Sequence, residues 1–277
     1  MKSFFFIPGN HPRMVEKIES IQADHLIIDL EDSVGKADLE SSIKNVSKID
    51  NKEDLWVRPG LFINGVFQPV VLNALLEVGF RKFVIPKTRN LNDIREVEGL
   101  TKGIGCQNVS IIMLVENSEC LHNLPEIIKK TKLKPFGIGF GSQDFCAETG
   151  IKHSSEYLRY PRFIISNTAK AMGLNCIDIA CMDLQGGDVF IEELQEAFNL
   201  GYDGKFIIHP KQLECLRSFP FYDANQVQEA KTILEEHQKL GSPAVFVYKG
   251  RAIEPPHVNY YKRIINWSKK YGKKQTG

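Results

Sequence analysis

The chain lacks the features that mark nucleic-acid-binding and membrane proteins. Lys plus Arg number 35 and Asp plus Glu number 34, so the formal net charge is only +1. This balance provides no basic excess of the kind that binds nucleic acid or an anionic membrane. No apolar run approaches the roughly 18 residues of a membrane span, and Pro8-Gly9 interrupts the N-terminal run too early for a signal peptide. We therefore expect no nucleic-acid partner and no membrane partner.

The chain also lacks the cysteine patterns of disulfide-rich and zinc-binding proteins. Its six cysteines form no Cys-x-x-Cys pair, and no Cys/His spacing matches a zinc site. A chain of 277 residues can bury a core large enough to need no disulfides. The sequence therefore predicts reduced thiols and a cytoplasmic location.

Apolar runs of strand length, by contrast, recur eight times. They are rich in Ile, Val and Phe and alternate little, as expected for strands buried on both faces. Amphipathic stretches of helical period separate most of them. This alternation predicts an α/β fold, a (β/α)8 TIM barrel over residues 1–215. We expect residues 216–277 to form a C-terminal helical extension that packs on the barrel or on a neighbouring subunit. The eight runs are 3–7, 25–30, 55–57, 82–85, 110–115, 136–140, 176–180 and 205–208.

Two acidic residues follow neighbouring runs of this predicted barrel. Glu116 comes directly after the run 110–115, and Asp144 comes shortly after the run 136–140. The carboxyl ends of the strands form the active-site edge of a parallel barrel, so the two carboxylates should converge there. Two carboxylates with positions left for water and substrate oxygens suit Mg²⁺. For either acid taken singly, an ordinary polar residue at a strand end is the alternative, and the eightfold pattern favours the metal site.

Further charged residues fall at the same predicted edge. Arg58 ends the third run, and its planar fork suits a carboxylate bound through two parallel hydrogen bonds. Glu31 and Asp32 follow the second run and Lys87 follows the fourth, so all three are candidate substrate-binding residues. For Lys87 a simple ion pair with a nearby carboxylate is the alternative, and Asp29 is a candidate for orienting other side chains.

The order of these segments resembles the citrate lyase β-subunit family of the HpcH/HpaI aldolase group, which includes malyl-, citramalyl- and citryl-CoA lyases. The resemblance extends over nearly the whole chain. The segments in this order identify the family more specifically than any single segment does. The matching segments are Phe6-Ile7-Pro8-Gly9-Asn10, Asp29-Leu30-Glu31-Asp32, Val57-Arg58, Ile85-Pro86-Lys87, Val115-Glu116, Gly141-Ser142-Gln143-Asp144, Gly204-Lys205-Phe206-Ile207-Ile208-His209-Pro210 and Gly250-Arg251-Ala252-Ile253-Glu254.

The resemblance implies a Mg²⁺-dependent carbon–carbon lyase. It implies Mg²⁺ on Glu116 and Asp144, Arg58 as the residue that binds a 2-oxo acid and stabilises developing charge, and a CoA thioester as the other substrate part. It further implies a homotrimer or larger homo-oligomer, in which Glu254 reaches a neighbouring subunit's site as the catalytic acid or base. Relatives have Asp at that position. Lys2 stands where relatives carry Arg, and we expect it to bind substrate.

Three departures leave alternatives open. Pro59-Gly60 follows Arg58, Asn117-Ser118 follows Glu116, and Glu254 replaces the family's Asp. These changes lie beside the expected substrate and metal positions. An aldolase that uses free 2-oxo acids without CoA, and a non-catalytic homologue that binds an oxo acid, are the alternatives to an acyl-CoA lyase.

Overall fold

In a computed structural model of the chain, eight parallel strands close into a barrel. The structure describes residues 1–16, 18–35 and 37–271. Its first ten strands are β1 Lys2–Pro8, β2 His25–Leu30, β3 Trp56–Pro59, β4 Phe62–Ile63, β5 Val66–Phe67, β6 Lys82–Ile85, β7 Ser110–Val115, β8 Lys134–Phe140, β9 Asn175–Asp178 and β10 Gly204–Ile207. The barrel order is β1-β2-β3-β6-β7-β8-β9-β10, with β10 pairing back to β1, while β4 and β5 form a separate hairpin. The predicted TIM barrel is confirmed, with every strand boundary within two residues of its sequence prediction.

Helices follow most of the barrel strands and form the outer layer. The helices of this layer are α1 Pro12–Glu16, α2 Leu39–Val46, α3 Pro69–Glu77, α4 Leu91–Gly103, α5 Ser118–Lys130, α6 Ser142–Thr149, α7 Ser155–Ala171, α8 Asp188–Asn199 and α9 Pro210–Ser218. The first connection contains α1, with five α-helical residues, and a short 3-10 turn, Ile18–Ser20. Two more helices, α10 Ala224–Lys239 and α11 Pro255–Tyr271, come later in the chain. None of the described helices is long and apolar enough to span a bilayer.

Large side chains fill the barrel interior because one strand carries glycines. The interior cluster includes Phe4, Trp56 and Phe206, all almost fully buried. On β8, a Cβ added at Gly139 would lie 2.6 Å from the Phe206 ring and 2.8 Å from Leu114. Glycine at this position therefore leaves the space that the rings on the other strands occupy.

A buried ionic cluster ties the outer face of β9 and β10 to the helices. The Arg162 guanidinium on α7 donates to both carboxylate oxygens of Asp178 on β9, at 2.9 and 3.0 Å, and also to Glu196 on α8. Lys205 on β10 donates to Asp178 at 3.1 Å and to Glu193 on α8 at 2.9 Å. Each buried charge therefore has hydrogen-bonding partners of opposite sign, and removal of one member would leave an uncompensated charge.

The chain divides into two compact units, Met1–Leu216 and Arg217–Gly277. The second unit contains α10, α11 and an antiparallel hairpin of β11 Phe246–Tyr248 and β12 Arg251–Ile253. Its core joins Ile233 of α10 to Phe246, Ile253 and Val258. Asp223 and Gln226 form a reciprocal capping box at the start of α10. None of the six cysteines, all of which lie in the described part of the chain, forms a disulfide bond.

Candidate active site

A cavity of about 300 Å³ opens at the carboxyl end of the barrel strands. This is the edge at which the sequence placed the candidate residues. The structure brings four of them into the lining: Asp32, Arg58, Glu116 and Asp144. Asp29, which the sequence suggested as an orienting residue, also lines the cavity.

Glu116 directly follows β7, and its side chain is 3% exposed. Its Oε2 accepts a hydrogen bond from the Lys87 backbone N–H at 2.6 Å. Gly141 lets the carboxylate pack against the backbone, since a Cβ there would lie 2.4 Å from Glu116 Cγ. Burial, followed by the negative charge of Glu31, raises the pKa of Glu116 to about 8, and Asp144 contributes to the same repulsion. Glu116 is therefore a buried acid held among other acids.

Asp144 lies in the first turn of α6, four residues beyond the end of β8. Its side chain lines the same cavity as Glu116 and is partly exposed. Within the described chain, neither carboxylate forms an ion pair with a Lys, Arg or His side chain. A bound cation would supply the missing charge.

This donor set fits Mg²⁺. Across the described residues there is no group of three or more His, Cys, Asp or Glu side chains arranged to hold a metal by themselves. Two carboxylates that face an open cavity leave the remaining positions to water and substrate oxygens, which is the usual Mg²⁺ arrangement. A zinc or iron site would need a fuller set of nitrogen or sulfur ligands.

Arg58 on β3 is held by acidic neighbours. Its Nε and Nη2 donate to the two carboxylate oxygens of Asp29, each at 2.7 Å. Its Nη1 lies 3.2 Å from Asp32, and its guanidinium lies 4.9 Å from the centroid of the Phe6 ring. Burial acts to raise the pKa of Asp29. The hydrogen bonds from Arg58 and its positive charge act in the opposite direction and prevail, so the pKa of Asp29 lies below its ordinary value. Asp29 therefore fixes Nε and Nη2 of the guanidinium, and Nη1, which is paired with the half-exposed Asp32, is the nitrogen that a ligand in the cavity would share.

Lys87 pairs with carboxylates, the alternative that the sequence left open. Its Nζ lies 2.9 Å from Glu31 and 3.5 Å from Asp32. Burial raises the pKa of Glu31 to about 7, with Arg58 and Lys87 opposing the shift and Asp32 adding to it. The Lys87 backbone has a φ of 53°, in the left-handed region, which aims its N–H at Glu116. The substrate-binding roles of Glu31, Asp32 and Lys87 stay predictions.

The expectation for Lys2 needs correction. Lys2 is the first residue of β1, whereas the cavity is lined by Pro8 at the last. Six residues of strand separate the two by about 20 Å. The Lys2 ammonium instead donates to Asn175 Oδ1 at 3.3 Å, at the amino-terminal edge of the barrel. The structure therefore places Lys2 at the end of the barrel opposite the candidate site. The sequence already contained the reason, because Lys2 precedes the first apolar run, whereas the site forms at the carboxyl ends of the strands.

Glu254 lies in the second unit, between β12 and α11, with an exposed side chain. Its backbone N–H donates to Nδ1 of His257 at 3.1 Å. Its expected role in a neighbouring subunit's site stays a prediction.

Sequence reasoning concentrated on charged residues and missed the apolar part of the cavity. Ala180, Met182 and Ile208 line it, and each follows a barrel strand by one to four residues. Ala180 and Ile208 end two of the predicted runs and Met182 follows one by two residues, and this position at the carboxyl ends of strands was the available signal. It was overlooked because an apolar residue at a strand end looks like an extension of the strand.

Comparison with known proteins identifies related chains. The family described as HpcH/HpaI aldolase/citrate lyase matches residues 2–210. The citrate lyase subunit beta of Leuconostoc mesenteroides subsp. cremoris is 25% identical, over 95% of this chain and 92% of that protein. The mitochondrial citramalyl-CoA lyase of Homo sapiens is 26% identical, over 92% of this chain and 82% of that protein. An L-malyl-CoA/beta-methylmalyl-CoA lyase of Cereibacter sphaeroides is 26% identical, over 94% of this chain and 92% of that protein.

A solved structure supports the fold independently. The crystal structure of protein CitE from Mycobacterium tuberculosis, in complex with magnesium, acetoacetate and coenzyme A, superposes with a TM-score of 0.81. The match covers 96% of this chain and 98% of that one, at 21% identity. At this identity the likeness shows the shared fold.

Proposed function

The chain belongs to the HpcH/HpaI aldolase/citrate lyase family, and we propose that it is a Mg²⁺-dependent carbon–carbon lyase. It cleaves or forms a β-hydroxy acyl thioester of coenzyme A, with a 2-oxo acid as one product. The observation that carries this proposal is the Glu116–Asp144 pair, in a cavity that also contains Arg58 and with no ion pair from either carboxylate to a described Lys, Arg or His side chain. The relatives named as CoA-thioester lyases support the thioester part of the proposal.

Glu116 and Asp144 would hold the Mg²⁺ ion, with Arg58 Nη1 available for the substrate. When bound, Mg²⁺ supplies Lewis-acid polarisation of the 2-oxo acid and orients its oxygens. The Lys87 N–H fixes the Glu116 carboxylate, and Asp29 fixes the Arg58 guanidinium. Arg58 stabilises negative charge that develops on the substrate oxygen during carbon–carbon cleavage. The apolar side of the cavity keeps water away from the reacting carbon.

A further group must move a proton at that carbon. We propose Glu254 for this role, from the β12–α11 loop of a neighbouring subunit in a homotrimer or larger homo-oligomer. The exposure of its side chain and its place in a short loop after a hairpin support a contribution in trans. A cytoplasmic location agrees with the free thiols.

Release of the 2-oxo acid from citramalyl-, malyl- and citryl-CoA, followed as hydrazone absorbance, tests the function. The wild type with Mg²⁺ should cleave at least one of them, and chelation of the metal should stop the reaction. Asp144→Asn should lower turnover at least ~100-fold through loss of a metal ligand. Glu192→Gln, at an exposed position on α8, is the control and should retain activity. Cleavage that is insensitive to both chelation and Asp144→Asn would refute the proposal.

A further inference from the structure

The cavity has two unlike sides, and this difference bears on which 2-oxo acid it accepts. The charged residues come from β2, from β3 and from the segments that follow β7 and β8. On the side of β9 and β10 the lining is apolar and consists of Ala180, Met182, Phe206 and Ile208. The other apolar lining residues are Phe6 and Pro8 on β1, Leu114 on β7 and Phe140 on β8.

The barrel order sets these two sides against each other. In a ring of eight strands, the strand opposite β3 is four places away in either direction, and that strand is β9. Arg58 lies on β3, whereas Ala180 and Met182 follow β9 directly. A small acid whose carboxylate faces Arg58 therefore extends its other substituent toward Ala180 and Met182.

The charges on the lining allow one further anionic group and disfavour a second. Four carboxylates, those of Asp29, Asp32, Glu116 and Asp144, line the cavity against one guanidinium. Arg58 is the only Lys or Arg among the described lining residues, and Asp29 already occupies two of its nitrogens at 2.7 Å. A substrate carboxylate that pointed toward β9 would lose part of its hydration beside Ala180, Phe206 and Ile208 without gaining a cationic partner from the lining, which is unfavourable.

We propose, on the basis of the proposed function, that the 2-oxo acid of this site is monocarboxylic and carries a short alkyl substituent. Its carboxylate and 2-oxo oxygen lie on the charged side. Its alkyl group packs against the β9 and β10 side. Dicarboxylic 2-oxo acids are excluded by the repulsion and desolvation of their second carboxylate.

Calorimetric titration of the whole protein with Mg²⁺ tests this proposal. The probes are glyoxylate, pyruvate, 2-oxobutyrate and freshly prepared oxaloacetate. Pyruvate should bind more tightly than glyoxylate by roughly fourfold, the value of one buried methyl-sized group. Oxaloacetate should bind at least ~10-fold more weakly than pyruvate. Oxaloacetate binding as tightly as pyruvate would overturn the inference and leave the proposed function standing. Absence of binding by every acid would overturn the proposed function itself.

A matched pair of variants separates the local effect from general charge. Met182 lines the cavity and is 53% exposed, whereas Leu184, two residues on, is 44% exposed and outside the lining. Met182→Lys should raise the affinity for oxaloacetate relative to pyruvate about tenfold, because it supplies the missing cation. Leu184→Lys should leave the ratio unchanged. An equal shift in both variants, or a shift in neither, would refute the assignment of this side of the cavity.

Discussion

Replacement of Glu116 by Gln should have opposite effects on stability with and without Mg²⁺. Without metal, Glu116 is a buried acid whose pKa is raised from 4.5 to about 8. In the unfolded chain the same group titrates near 4.5. Between these values the folded state holds a proton that the unfolded state has released, so stability falls as the pH rises and levels off above about 8. Gln carries no such charge and still offers an oxygen to the Lys87 N–H.

The magnitude follows from the same shift. At about 1.36 kcal/mol per pKa unit, a rise from 4.5 to about 8 corresponds to a penalty of about 5 kcal/mol in the metal-free protein at high pH. At pH 8.5 Glu31, whose pKa is about 7, is ionised as well, so the repulsion is shared between two acids and removal of one charge recovers only part of the penalty. We therefore expect Glu116→Gln to stabilise the metal-free protein by roughly 2 kcal/mol at pH 8.5, and by little near pH 5.

With Mg²⁺ the sign reverses. Metal at 100 times its dissociation constant should stabilise the wild type by about 2.7 kcal/mol, and Glu116→Gln should lose most of that gain. Urea unfolding followed by circular dichroism, at pH 5, 7 and 8.5 with either chelator or Mg²⁺, measures both effects. Glu192→Gln, at an exposed position on α8, serves as the control and should show neither the metal-free stabilisation nor the loss of Mg²⁺ stabilisation. If Glu116→Gln destabilises the chelated protein at pH 8.5, the repulsion among Glu116, Glu31 and Asp144 is not the dominant force at this site.

Three further predictions concern other parts of the molecule. Arg58→Lys should retain cooperative unfolding but lower the affinity for 2-oxo acids at least ~10-fold in calorimetry, because an ammonium group cannot both bind two oxygens of Asp29 and reach a ligand. Loss of the folded state in this variant would show that Arg58 is mainly structural. Gly139→Ala should lower the free energy of unfolding by about 1–3 kcal/mol in urea, since its Cβ would lie 2.6 Å from the Phe206 ring, and an unchanged unfolding curve would contradict the packing argument. Glu254→Ala should abolish turnover while leaving Mg²⁺ and oxo-acid binding intact, and light scattering of the protein should show a homo-oligomer. Surviving turnover in the variant, or a monomer at micromolar concentration, would contradict the assignment of Glu254 to the site.

The barrel could be predicted because each strand carries its own local signal. The eight apolar runs are buried on both faces, so their composition alone identified them, and the position of Glu116 and Arg58 at strand ends followed directly. The hairpin of β4 and β5 was missed although Asn64-Gly65 is a strong turn dipeptide, with φ of 48° and 76°. Its strands have two residues each, which is too short for an alternation pattern.

The partners of the site residues could not be predicted, because they depend on register across strands that are distant in sequence. Arg58 meets Asp29 because β2 and β3 pair with these two residues in register. The Lys87 N–H reaches Glu116 because the chain after β6 adopts a left-handed conformation that no local pattern announced. The buried Arg162–Asp178–Lys205 cluster was missed for the same reason, since charged residues on a helix and on two strands look solvent-exposed when each is considered alone.

The excess of acid at the cavity connects metal, substrate and protonation. Four carboxylates and one guanidinium line it, so a monoanionic acid that enters before a cation meets a repulsive field. The raised pKa of Glu116 expresses the same repulsion within the protein, because burial and neighbouring acids disfavour its charged form. A divalent cation relieves the repulsion among the protein's carboxylates, because it compensates the charges of Glu116 and Asp144. It also relieves the repulsion of the substrate, because it provides positive charge for the incoming carboxylate. We therefore expect the metal to bind before the 2-oxo acid. The negative charges of Glu116 and Asp144 impose this order of binding, and Arg58 orients the acid once it has entered.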